Sequence, residues 1–144
     1  MLIFKENSGS YTAKVADFGY SYQYASDDDL VELPVSRPWN APEWHHRAFK
    51  PLDAIKMDVY SFGMLCLWCL FQDNEGYPGR TSIEELKSND TLRVLAQELI
   101  VVMTGLCDKQ KRDLDRLFNL TLVRDPQGRA AKFTQLLPLL VRDV

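Results

Sequence analysis

Four groups of residues in this chain have types and spacing that could do chemistry: Cys66-x-x-Cys69, His45-His46, the tripeptide Asp17-Phe18-Gly19, and a lone carboxylate, Asp58, at the head of an apolar stretch. A Cys-x-x-Cys pair can hold a metal or cycle as a redox couple, but no second pair stands at zinc spacing and the flanking residues are Leu and Trp. Packing is the stronger reading, because buried free cysteine behaves as a small apolar residue. Adjacent histidines without a carboxylate or cysteine pattern nearby read as a loop or an exposed helix start, and no chemistry is assigned to them. Asp58 is costly to bury unless it caps a helix N-terminus or accepts hydrogen bonds from another segment. Taken alone, Asp17-Phe18-Gly19 is a turn.

Asp58 sits in the stretch 56–71, KMDVYSFGMLCLWCLF, which only Asp58, Ser61 and Gly63 interrupt after Met57. Such a run exceeds a strand, and a helix apolar all round must be buried all round. At ~1.5 Å per residue it spans roughly 22 Å, short of the ~30 Å bilayer interior, so a core helix is expected.

Around it, an apolar run at 2–4, a turn-forming cluster at 6–10 and β-favouring residues at 11–16 predict a β-hairpin. A long polar loop follows to Pro34, and Pro38, Pro42 and Pro51 punctuate the chain before the core helix. Ser82 and Glu85 have capping-box spacing and predict a helix start. Apolar residues recur at helical intervals from Leu92 to Met103, from Leu114 to Leu122, and at Phe133, Leu136, Leu137 and Leu140 within a last helix over 131–141. The expectation is a mainly α, one-domain chain with an N-terminal hairpin.

The 144 residues are 46% hydrophobic and carry a net charge of -3, which suits a globular core and gives no basic surface for nucleic acid or acidic membranes. Three cysteines make no disulfide framework, and the opening Met-Leu-Ile-Phe is too brief for a signal peptide. An intracellular, cytoplasmic setting is expected.

The motifs gain meaning from their order. Asp17-Phe18-Gly19 closes a hairpin strand, Ala41-Pro42-Glu43 follows with Glu43 26 residues after Asp17, and the apolar helix lies beyond. This set resembles the later half of the protein kinase catalytic domain. The resemblance implies a kinase-like C-terminal lobe over residues 1–144: hairpin, activation loop, then helices around a buried central helix. It implies that Asp17 holds Mg²⁺ against the phosphates of ATP, that Phe18 packs inward to set the loop's state, and that Gly19 permits the backbone to swing. Residues 20–34 would be the activation loop, with Ser21, Tyr22, Tyr24 and Ser26 as candidate phosphorylation sites that read equally well as plain loop hydroxyls.

Residues 35–43, VSRPWNAPE, align with the substrate-facing segment. Ser36 at the Thr position favours Ser/Thr over Tyr substrates, while Trp39 and DVYSFG look tyrosine-kinase-like, and Val35 departs from the usual Gly. Glu43 is expected to form a buried ion pair with Arg129, where Ala130 replaces the family's proline. Asp58 would take hydrogen bonds from the catalytic-loop backbone. That loop, His-Arg-Asp with its general base and metal-binding Asn, does not occur, nor do a glycine-rich loop and its partner lysine. The expectation is a partial kinase domain, inactive by itself, whose ATP and Mg²⁺ belong to the intact domain and whose partner is a protein substrate. The alternative is a non-catalytic, pseudokinase-like module that binds a protein through the face at residues 82–105.

Overall fold

The computed structural model describes residues 2–44 and 48–140. The strands β1 (Leu2–Lys5) and β2 (Tyr11–Lys14) pair antiparallel in the register Ile3 to Ala13 and Phe4 to Thr12. Gly9 closes their turn at φ +85°, a left-handed backbone that glycine adopts without penalty. The hairpin stands open, with Ile3, Phe4 and Tyr11 all exposed.

Among the described residues five α-helices follow: α1 (Pro51–Phe71), α2 (Arg80–Ser88), α3 (Leu92–Val102), α4 (Asp108–Thr121) and α5 (Leu137–Leu140). The chain is therefore mainly helical, as expected. From α1, Tyr60, Met64, Leu67 and Phe71 pack with Ile83 of α2, Ala96 and Leu99 of α3, and Phe118 of α4. A second cluster joins Val59 to Leu117, Ala130 and Leu136. Where α1 crosses α4 the backbones come so close that a Cβ on Gly63 would sit 2.3 Å from Thr121 Oγ1.

Four expectations change. Helix α1 begins at Pro51, not at residue 56, because proline fits the first turn, where its missing N–H costs nothing. Its 21 residues reach roughly 31 Å, so by length and composition α1 is long and apolar enough to cross a membrane. Its place as a core helix rests on packing, since Met57, Val59, Tyr60, Met64, Leu67 and Phe71 are all buried. The capping box at Ser82 is not made, because α2 already starts at Arg80, where the Gly79 carbonyl accepts from Ile83 N–H at 3.0 Å. The last helix is a 3-10 turn (Phe133–Gln135) followed by the short α5; Pro138 lacks the N–H a longer helix needs, and of the four apolar residues only Leu136 is buried.

Candidate functional site

The segment 36–44 joins the long loop to the helical core. The Ser36 carbonyl accepts from Trp39 and Asn40 N–H at 2.7 and 2.9 Å, and the Ala41 carbonyl from Trp44 N–H at 3.0 Å, so the chain makes two successive turns. Ala41 is fully buried, and the Trp39 ring meets Trp68 of α1 edge-on at 5.9 Å. Trp44 donates its indole N–H to the Leu33 carbonyl at 3.1 Å. Ser36 itself is exposed.

These turns carry Glu43 to Arg129, 86 residues away. Arg129 Nη1 and Nη2 donate to the two Glu43 carboxylate oxygens at 2.5 and 2.9 Å, a bidentate fork. The remaining N–H groups reach the carbonyls of Val123, Lys56 and Arg124. With Arg129 only 4% exposed, this one side chain ties the Ala-Pro-Glu turn, the first half of α1 and the turn after α4. Next to it the Ala130 N–H donates to the Leu120 carbonyl at 2.9 Å, a bond that proline could not make.

Asp17 lies at the end of the hairpin with φ 66°, a left-handed backbone that short polar residues tolerate better than most. Among the described residues its exposed carboxylate accepts only the Gly19 N–H, at 3.4 Å. Phe18 does not pack inward: its side chain is 66% exposed, because no described element lies against that side of the hairpin. Ser21, Tyr22, Tyr24 and Ser26 are all exposed. The Ser21 hydroxyl donates to the Phe18 carbonyl at 2.7 Å, and the Ser26 hydroxyl accepts the Asp28 N–H at 3.3 Å. The acidic run beyond them is structural. Asp29 accepts the N–H groups of Ala25 and Ser26, Asp28 pairs with Lys50 at 3.0 Å, and Val31 bridges to Phe49.

Asp58 is not a cap, since α1 starts seven residues earlier, and no described residue donates a hydrogen bond to it. It reaches solvent, yet protein atoms crowd its carboxylate, and that desolvation raises its pKa. Cys66 is half-buried, and burial pushes its thiol up to about 12, whereas Cys69 is exposed and so is not a core packing residue. Both line an open apolar groove of about 760 Å³ together with Cys107, a neighbour no sequence pattern announces. His45 and His46 lie outside the described residues.

Sequence reading passed over Lys87 and Arg124. Lys87 is 4% exposed and donates to the Pro38 carbonyl at 2.9 Å, which fastens α2 to the same turn. The signal was present, since Lys87 falls four residues after the buried Ile83 on one face of a helix.

Compared with protein-family models, with curated proteins and with solved structures, the chain has no match.

Proposed function

We propose that this chain is the later part of a protein kinase domain of the Ser/Thr type with tyrosine-kinase-like features, catalytically inactive without a general base. The observation that carries the reading is the bidentate Glu43–Arg129 pair, because only the kinase resemblance gave a reason for those two residues to meet. The exposed Ile3, Phe4, Val15 and Phe18 also support it, as apolar side chains suited to cover by further protein. So does Asp58, a crowded carboxylate with no described partner, for which the resemblance supplies donors in the catalytic-loop backbone.

ATP and Mg²⁺ go with the intact domain. Asp17 offers the hard oxygen donor that Mg²⁺ takes, and its carboxylate is open to receive the ion. When bound, the cation would neutralise phosphate charge. One carboxylate is one ligand, however, and no group of three metal ligands occurs among the described residues, so this chain is expected to bind neither tightly. An intracellular setting accords with three free cysteines.

A second reading, a non-catalytic protein-binding module, is favoured by α3, where Val94, Val101 and Val102 are exposed within the face at residues 82–105. Reading the coding sequence upstream of Met1 and expressing the longest product separates the two. An in-frame His-Arg-Asp loop, with Ser/Thr phosphorylation that Asp17→Asn abolishes, is the expected result. A stop codon directly upstream and no phosphoryl transfer would leave the module.

A further inference from the structure

Between the 37–44 turns, α2 and the turn after α4 lies a polar cavity of about 210 Å³. Its charged lining is Arg37, Lys87 and Arg124 against a single acid, Glu84, in a chain that is acidic as a whole. Neighbouring Glu43 is already committed to Arg129. We propose that this cavity binds a phosphate-type oxyanion.

The cations retain donors for it. No described residue accepts from the Arg37 guanidinium. Arg124 spends one N–H on the Ser88 carbonyl, at 2.9 Å, and Lys87 uses two of its three on Pro38 and, at 3.4 Å, on Glu84. Like charges gathered without compensation are unfavourable, and burial lowers the Lys87 pKa, Glu84 partly restores it, and Arg37 lowers it further. An oxyanion among the three would relieve this repulsion through charge-assisted hydrogen bonds. A second feature borders the same space. Asn40 is one of its lining residues, and its buried Oδ1 has no donor among the described residues; a protonated phosphate oxygen or a peptide N–H would supply one. The volume admits one phosphoryl group with a short attachment, either free phosphate or a phosphorylated side chain on a partner. Such a site would serve a kinase-like fold and a binding module alike.

The test is thermal melting together with tryptophan fluorescence, since Trp44 lines the cavity. The full chain is titrated with sodium phosphate, a phosphoserine peptide and the same peptide unphosphorylated, each against sodium chloride at matched ionic strength. A saturable rise in Tm with both phosphorylated probes is expected. Arg37→Ala, which breaks no hydrogen bond to a described residue, should weaken binding about tenfold, the scale of one charge-assisted contact, and Arg37→Glu more. Arg116→Ala on α4 should bind as the parent does. A phosphopeptide at least about tenfold tighter than inorganic phosphate would assign the site to a phosphorylated partner, and equal affinities to the free anion. The assignment falls if phosphate and chloride act alike, or if Arg37→Glu binds as the parent does.

Discussion

The guanidinium of Arg129 stands 4.7 Å from the centre of the Tyr60 ring while all five of its N–H groups end on oxygen. A cation taken out of water must have its donors met, and here three segments of chain and one aromatic face meet them. The ring pays for its place too: burial raises the Tyr60 pKa, and the nearby positive charge draws it partly back.

Removing either end of the pair leaves an uncompensated charge at a largely buried site. Glu43→Ala and Arg129→Ala should each cost about 3 kcal/mol, a fall in Tm of roughly 10 °C. Arg129→Lys keeps the charge but not the fork and should fall between them and the parent. Melting by circular dichroism decides; if both alanine variants melt with the parent, the pair does not hold the segment in place.

Gly63 has no room for a side chain against Thr121 and Leu122, where a Cβ would stand 2.3 Å and 3.0 Å from the nearest side-chain atoms. Gly63→Ala should destabilise by about 2 kcal/mol as α1 and α4 are forced apart. Combined with Thr121→Gly, it should cost less than the two single changes added together. Strict additivity in urea unfolding would mean that the helices part freely at this crossing.

Phe18 is exposed, so Phe18→Ala should change stability by no more than about 0.5 kcal/mol, against about 3–5 kcal/mol for a phenylalanine packed in a core. In a longer product that supplied a cover for the hairpin, the same substitution should become costly.

Asp58 has a pKa raised by desolvation, so folding favours its protonated form. Its stability is therefore best below the ordinary carboxylate pKa and declines as pH rises through the elevated one. Asp58→Asn should melt above the parent at pH 7, and the two curves should converge as pH falls toward 3.5. A gap independent of pH would mean that the crowding does not act on the charge. A catalytic-loop segment that donated hydrogen bonds to Asp58 would reverse the sign.

Much of the helical part was legible in the sequence, because the periodicity of Leu92, Leu95, Ala96 and Leu99 states burial directly; the apolar stretch of α1 marks a core helix, but not one buried all round, since Trp68, Cys69 and Leu70 are exposed. Element starts were not. Ser82 and Glu85 fit a capping box, yet Gly79 already supplies the extended residue and the accepting carbonyl, so the helix takes in Arg80 and Thr81 first. Asp58 looked like a cap only as long as the start of α1 was placed five residues too late.

What the sequence determined by itself is what depends on neighbours along the chain: the hairpin with its turn at Gly9, the helical stretches and the ordered motifs around Asp17, Glu43 and the apolar helix. The tertiary structure decided which distant groups meet. Arg129 reaches Glu43, a pairing that the resemblance led one to expect but no local pattern states, Thr121 leaves no space at Gly63, Lys87 fastens Pro38, and Arg37, Lys87 and Arg124 converge on one cavity. The physical reason is that periodicity reports which side of an element is buried, whereas a pairing across 86 residues depends on how helices cross, and close packing fixes that crossing through side-chain shape across the whole core.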